Sequence, residues 1–165
     1  MSRHSGRQRG EAMDIVAKRF GRDTGEVRRI GRMTFFLGMS AEDTQGAYTV
    51  MEAIVPPDSG SGRHRHWSFD EAAFILDGRF ECFVDGSQKE LSAGESVYWP
   101  RGAIHQFRSI GPGDGRILFI CSPGKIFEDF INQLSTSGVE SGTAVSGAAV
   151  DFRAIAARHG IEFID

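Results

Sequence analysis

The chain has few cysteines, few tyrosines and tryptophans, no long apolar run and only a small net charge. Its two cysteines, Cys82 and Cys121, lie within separate apolar segments, which favours buried reduced thiols over a disulfide or a pair of metal ligands. No apolar run approaches the length of a membrane span, and the first residues lack the apolar core of a signal peptide, so we expect a cytoplasmic protein. A net charge of −3 argues against a nucleic-acid or membrane partner.

Glycine and phenylalanine are the abundant residue types. There are 21 glycines and 13 phenylalanines, against two tyrosines and two tryptophans. Many glycines indicate many turns between short strands, and many phenylalanines indicate an apolar interior. A chain of 165 residues can bury its own core as one domain without disulfides.

Short apolar segments separated by strong turn signals predict an all-β protein. The turns combine glycine or proline with aspartate or serine, as at 56–60, 77–78, 85–87 and 111–115. Many short strands at close spacing are typical of a sandwich or a barrel. The predicted strands cover residues 33–37, 47–55, 63–67, 71–76, 79–84, 90–91, 96–99, 104–110 and 116–121.

Both ends of the chain differ from this β-rich middle. Residues 1–12 are small, basic and polar, which predicts a disordered tail. Apolar residues at helical spacing predict a helix over 125–134, and the composition of 135–149 is typical of a loop. Asp151 is expected to cap a second short helix over 152–158.

Three histidines and one glutamate lie at offsets that can bring them together on β-structure. His64 and His66 are two residues apart, so both side chains point to the same face of a strand. Glu71 begins the next predicted strand, and His105 follows a Pro-x-Gly turn. Three imidazoles and a carboxylate form a nitrogen and oxygen site for one divalent transition metal ion, which leaves Fe, Mn, Ni, Zn, Cu and Co open.

These residues resemble the two motifs of the cupin superfamily. The first motif, G-x5-H-x-H-x3-4-E-x6-G, fits from His64 through Gly78, and the second, G-x5-P-x-G-x2-H-x3-N, fits from Gly94 through His105. The opening glycine of the first motif is replaced by Asp58, and the closing asparagine of the second by Ser109. The flanking segments are similar to those of single-domain, conserved-barrel cupins described as quercetinase-like.

The resemblance implies a jelly-roll barrel, or double-stranded β-helix, with short C-terminal helices. The expected organisation is a disordered tail at 1–12, a cupin barrel domain at 13–124 and a helical extension at 125–165 that packs on the barrel. Within this fold the resemblance makes His64, His66, Glu71 and His105 the metal ligands. Four protein ligands leave positions open on a metal that accepts five or six, and an open position distinguishes a catalytic site from a structural one.

Alternation along the strands predicts a substrate pocket beside the ligands. Ala73, Ile75 and Phe107 lie on the faces that Glu71 and His105 share. Three further aromatic residues are candidates for the wall or mouth of the pocket, although packing is a competing role for each. They are Trp67, Phe69 and Trp99.

The favoured function is a dioxygenase that acts on an enolic or phenolic aromatic substrate, with Glu71 as both ligand and general base, as the quercetinase-like resemblance implies. Two alternatives stay open. One is redox-neutral, metal-assisted cyclisation, isomerisation or decarboxylation, as in polyketide cyclases, and the other is non-catalytic binding of a small metabolite. The expected partners are a small organic substrate and a second copy of the chain, because edge strands and an exposed Phe-rich helix indicate a homodimer.

Overall fold

Short strands joined by tight turns account for most of the computed structural model, which describes residues 17, 19–137 and 151–164. The elements within these residues follow the predicted order closely. The strands are β1 (Val27–Ile30), β2 (Met33–Met39), β3 (Thr49–Val55), β4 (His64–His66), β5 (Asp70–Asp77), β6 (Arg79–Val84), β7 (Ser87–Ser92), β8 (Ser96–Trp99), β9 (His105–Ser109), β10 (Gly115–Ser122) and β11 (Ile161–Phe163), and the helices are α1 (Gly124–Ser137) and α2 (Phe152–Arg158).

The strands form two antiparallel sheets. The larger sheet has the order β1-β2-β3-β10-β5-β8, and the smaller one has the order β11-β4-β9-β6-β7. The two sheets pack face to face, with the ring of Phe107 on β9 lying 5.2 Å from that of Phe119 on β10. This architecture confirms the predicted all-β barrel of the jelly-roll type.

β10 shows how the sequence builds this sandwich. Ile117, Phe119 and Cys121 alternate with more exposed residues, and all three are buried against the opposite sheet. β10 pairs with β3 on one side and with β5 on the other, so it lies at the centre of the larger sheet. Complete burial of a large apolar side chain stabilises the fold by roughly 1.5–3 kcal/mol.

α1 packs Phe127 against the barrel interior. The ring of Phe127 lies 5.9 Å from that of Phe69 and 6.2 Å from that of Phe119. Phe127 and Phe130 are each only 7% exposed, so the expectation of an exposed Phe-rich helix is wrong. The helix is longer than predicted: it continues for nearly one more turn after Leu134, the last residue of its apolar face, and ends at Ser137.

α2 has the predicted bounds and the predicted cap. The carboxylate of Asp151 accepts hydrogen bonds from the backbone N–H groups of Arg153 at 3.0 Å and Ala154 at 3.3 Å. His159 follows as the C-cap, and its Nε2 lies 2.8 Å from Oε1 of Gln133 on α1. This contact links the two helices and gives His159 a structural role.

Two strands were not predicted, and some predictions cannot be compared with the structure. β1 and β11 are short edge strands in which charged residues interrupt the apolar pattern, so their local signal is weak. The predicted tail at 1–12 and most of the predicted loop at 135–149 lie outside the described residues. Neither helix in the described ranges is long and apolar enough to cross a membrane.

Candidate metal centre

Strands from both sheets bring the four predicted ligands to one buried point. β4 carries His64 and His66, β9 carries His105, and the facing strand β5 carries Glu71. His64 and His105 are directly paired across β4 and β9. All four residues are buried, and one ligand atom from each lies within 4.8 Å of the others.

The Glu71 carboxylate completes the cluster from the opposite sheet. Its Oε2 lies 3.4 Å from Nδ1 of His66 and 3.7 Å from Nε2 of His105. The three imidazole centroids are separated by 4.8 Å, 4.3 Å and 4.6 Å. Arg65, between the two histidines of β4, instead pairs with Glu162 at 3.0 Å, so it points away from the cluster as predicted.

Backbone carbonyl groups orient two of the imidazoles. Nδ1 of His64 lies 2.8 Å from the carbonyl oxygen of Gly62, and Nδ1 of His105 lies 3.0 Å from that of Ala103. A carbonyl oxygen can only accept, so Nδ1 carries the hydrogen in both rings. Nε2 of each ring therefore keeps its lone pair for a cation. Metal-ligating histidines usually donate their other ring N–H to a carbonyl or carboxylate oxygen in this way.

An aromatic ring stacks on each imidazole. Phe69 lies 4.0 Å from His66 at 21°, and Trp99 lies 4.9 Å from His105 at 18°. Phe163 lies 5.1 Å from His64 at 19°. These contacts restrict the rotation of the rings and remove them from water.

Phe163 is the contact that sequence reasoning missed. It lies on β11, which pairs with β4 so that Phe163 is opposite His64. The alternation of Ile161, Glu162 and Phe163 after the turn at Gly160 was the available signal. That signal extends over only three residues, and it does not indicate which strand β11 pairs with.

Burial keeps two of the histidines uncharged. The pKa of His64 is lowered to about 3, first by desolvation and then by the neighbouring His105, while the Gly62 carbonyl opposes the shift. Desolvation, followed by the proximity of His64 and His105, also lowers the pKa of His66. Both rings are therefore neutral at pH 7, which is the form that binds metal ions.

Unpartnered nitrogens show that the cluster fits a cation. Among the described residues, Nδ1 of His66 and Nε2 of His105 are buried without a hydrogen-bond partner. Such atoms are rare in folded proteins, and a cation bound by both nitrogens would satisfy them. A ligand distance of about 2.1 Å puts opposite ligands about 4.2 Å apart. The four residues could therefore bind one metal ion if the largest distance between their ligand atoms, up to 4.8 Å, shortened slightly.

The other predicted site residues divide into an inner and an outer group. Ala73, Ile75 and Phe107 are buried in the core, and their role as substrate contacts stays a prediction, as it does for Phe69 and Trp99. Trp67 lies at the surface, 53% exposed. Its indole N–H donates to Glu162 at 3.1 Å, and the Arg65 guanidinium lies 4.3 Å above its ring.

Two charged and polar groups beside the cluster are not part of it. Asp70 precedes Glu71 and faces the other way, where a hydrogen bond from Arg101 holds the pKa of its carboxyl at about 2. Cys121 is paired with Glu71 across β10 and β5, and burial raises the pKa of its thiol well above the usual value. Both cysteines are free and buried, as predicted.

The two departures from the motifs meet in the structure. Asp58 adopts a φ of 60°, a left-handed conformation that aspartate tolerates better than most residues. Its backbone N–H donates to the carbonyl oxygen of Ser109 at 3.0 Å. Gly102, in the turn before His105, has a φ of 86°, which explains the glycine of the second motif. Neither departure touches a ligand.

Comparison with known proteins supports the family expected from the motifs. Residues 51–121 match the family model described as a cupin domain. The sequence is 31% identical to the polyketide synthase CurC of Streptomyces cyaneus over 71 residues, which cover 43% of this chain and 46% of that protein. The chain spans at most 65% of the length of the three curated relatives that it matches.

Solved structures share the fold. The polyketide cyclase RemF from Streptomyces resistomycificus matches with a TM-score of 0.57 and 21% identity over 66% of this chain and 80% of that one. A predicted oxalate decarboxylase from Thermotoga maritima matches with a TM-score of 0.59 and 20% identity over 62% and 96%. The fold is thus a cupin β-barrel, and the match of residues 51–121 to the cupin domain model supports the cupin superfamily. The quercetinase-like subtype stays a prediction.

Proposed function

We propose that this protein is a metal-dependent enzyme that acts as a dioxygenase on a small enolic or phenolic aromatic molecule. The observation that carries the proposal is the buried convergence of three imidazoles and one carboxylate within 4.8 Å, where two nitrogens lack partners. A structural site would be satisfied by these four ligands alone if the metal were tetrahedral. A metal that accepts five or six ligands would leave room for substrate, which is the arrangement that catalysis requires.

A bound divalent ion would supply Lewis acidity toward an enol or phenol oxygen and, with a redox-active metal, access to reaction with O₂. The residues of the chain supply position and proton transfer. Oε2 of Glu71 lies between His66 and His105 and is the available acceptor for the hydroxyl proton of the substrate. The aromatic rings stacked on the three imidazoles exclude water from their outer sides.

The test has two steps. Elemental analysis of protein purified without added metal should find close to one equivalent of a divalent transition metal per chain, and His66→Ala should abolish its uptake. Oxygen consumption should then follow the addition of flavonol or catechol substrates to the metal-loaded protein. Turnover that continues at an unchanged rate under strict anaerobiosis would rule out the dioxygenase assignment.

Redox-neutral catalysis is a second candidate because a specific observation favours it. The sequence relative CurC and the structural relative RemF are both named for polyketide chemistry, and a second structural relative is a predicted oxalate decarboxylase. Cyclisation, isomerisation or decarboxylation needs only polarisation of a carbonyl and a proton acceptor. This candidate predicts full activity with Zn²⁺ in the absence of O₂, whereas the dioxygenase needs a metal that supports oxygen chemistry.

A further inference from the structure

A cleft opens between the free edges of the two sheets. It has a volume of about 190 Å³, below the roughly 300 Å³ at the lower end of common ligand pockets, so it suits a small molecule. β7 is the edge strand of the smaller sheet and β8 that of the larger one. The residues that line the cleft are Cys82, Val84, Ser87, Lys89, Leu91, Ser96 and Val97.

The inner end of the cleft lies next to the metal centre. Val84 pairs with His105 across β6 and β9, and Val97 pairs with Ala73 across β5 and β8. Paired residues point to the same side of a sheet with Cβ atoms about 5 Å apart. Ala73 is in turn two residues from Glu71 on the same face of β5. A molecule in the cleft is therefore one side-chain layer from two of the candidate ligands.

Lys89 is the one charged residue among the seven that line the cleft. It pairs with Cys82, whose side chain is buried, so Lys89 lies on the inner face of β7 rather than on the outer one. Among the described residues, Lys89 forms no ion pair or hydrogen bond, whereas Lys125 at the surface binds Asp129 at 2.8 Å. Lys89 is exposed, so its ammonium group, on a cleft otherwise lined by valine, leucine, cysteine and serine, is accessible to an anion that comes from outside the chain.

We propose that this cleft admits the substrate and that Lys89 binds an anionic group on it, a carboxylate at the end remote from the metal centre. Lys89 is then a specificity-determining residue that selects acids over neutral analogues. The inference rests on the proposed function in that the molecule in the cleft is taken to be the substrate of the metal centre. The selection of acids by Lys89 is itself independent of the metal.

Edge protection is the competing explanation for this lysine. Inward-pointing charges on edge strands discourage pairing between sheets of separate molecules, and β7 is such an edge. A lysine with that role alone has no effect on ligand selectivity, and its removal promotes self-association. The two explanations thus differ in what the substitution changes.

The experiment compares 3-(4-hydroxyphenyl)propanoate with its neutral amide by calorimetric titration. Both probes are titrated into the full-length protein loaded with Zn²⁺ and into the same protein after chelation. Lys89→Met retains the apolar stem and removes the charge, Lys89→Arg restores the charge, and Lys125→Met is the matched control for loss of one surface lysine. Thermal unfolding of each variant verifies that it is folded.

We expect the acid to bind about tenfold more tightly than the amide, with and without metal. Lys89→Met should abolish the difference, while Lys89→Arg and Lys125→Met retain it. Equal affinities in the original protein, no binding of either probe at millimolar concentration, or acid selectivity that survives Lys89→Met would each overturn the proposal. Loss of all metal-dependent activity with intact acid selectivity would refute the proposed function and leave the role of Lys89 standing.

Discussion

Glu71 and His64 contribute to the centre in different ways, although both are buried donors. His64 is oriented by the Gly62 carbonyl and by Phe163, whereas Glu71 reaches across from the other sheet and lies near both His66 and His105. An imidazole with a fixed lone pair is a strong ligand for transition metals, and a carboxylate can both coordinate and accept a proton. Substitution of His64 should therefore mainly reduce metal affinity, whereas substitution of Glu71 should mainly reduce turnover.

Glu71→Gln is expected to retain metal with roughly tenfold weaker affinity and to lose about a hundredfold in turnover, because it removes the proton acceptor. His64→Ala should lose metal by a larger factor. Chelator competition measures the affinity of each variant, and steady-state kinetics with saturating metal measures turnover. Equal loss of metal in both variants would leave the dual role of Glu71 without support.

The stack between Phe163 and His64 should also affect metal binding. Phe163→Ala removes the wall at 5.1 Å from the imidazole and is expected to weaken metal affinity by about tenfold, as loss of outer contacts to a ligand commonly does. Tyr98→Ala is the matched control, since that ring is 59% exposed on the outer face of β8. Competition against a fluorescent zinc chelator provides the measurement, and identical affinities in the two variants would contradict the role of Phe163.

The buried neutral histidines should make the metal-free fold sensitive to acid. The pKa of His64 falls from 6.5 to about 3 on folding, so in that range the unfolded chain binds more protons than the folded one. The free energy of unfolding is not reduced by His64 above pH 6.5. As the pH falls from 6.5 toward 3, protonation of His64 in the unfolded chain lowers that free energy by up to about 1.4 kcal/mol per pH unit. Urea unfolding at several pH values between 4 and 7 gives the free energy of unfolding as a function of pH. That free energy should depend less steeply on pH in His64→Gln than in the original protein, and an equal pH dependence would exclude this linkage.

At the scale of elements, the segment from α2 to β11 links the capped helix to the candidate metal centre, because β11 pairs with β4 and carries Phe163. Asp151 is the N-cap of α2, and the turn that follows α2 places β11 next to β4. Phe152 of α2 also lies 4.8 Å from Phe163, so we expect any loosening of α2 to disturb the stack of Phe163 on His64.

Asp151→Ala is expected to lower the free energy of unfolding by about 1 kcal/mol, because two backbone N–H groups of α2 lose their acceptor. Asp151→Asn should retain most of the stability, since asparagine also caps helices well. Urea unfolding monitored by circular dichroism measures both variants. A loss in Asp151→Asn as large as in Asp151→Ala would indicate that charge rather than capping is responsible.

The elements that sequence predicts well are those with strong local signals. β8 at 96–99 and α2 at 152–158 have the predicted bounds, because turn residues and a capping aspartate mark their ends. The convergence of the four candidate ligands was also predictable, because His64 and His66 share a strand and a Pro-x-Gly turn precedes His105. The stack of Phe163 on His64 depends on the pairing of strands far apart in sequence, which no local pattern specifies.

For the whole molecule, the outer face of the larger sheet is the surface of interest. Tyr98, Ala72 and Ile120 lie in one row across β8, β5 and β10, and Phe74 is on the same face of β5. Tyr98, Phe74 and Ile120 are 59%, 43% and 41% exposed. Contiguous exposed apolar residues of this kind commonly mark an interface. Because the phenylalanines of α1 are buried, we propose this face instead as the interface of the expected homodimer.

We expect sedimentation velocity at micromolar concentration to show a dimer. Phe74→Ser combined with Ile120→Ser should shift the protein to a monomer, because it removes apolar area from the centre of the face. Phe83→Ser on the smaller sheet is a control for loss of a partly buried aromatic residue. A monomer in the original protein would refute the homodimer, and a dimer that survives the double substitution would refute this interface.

The position of β11 also has a consequence for protein synthesis. β11 follows α2 in the chain but pairs with β4, so the wall against His64 forms only after residues 161–163 have left the ribosome. A nascent chain that has exposed all four donors still lacks that wall. During synthesis, the His64 side of β4 therefore stays uncovered until the β11 segment docks against it.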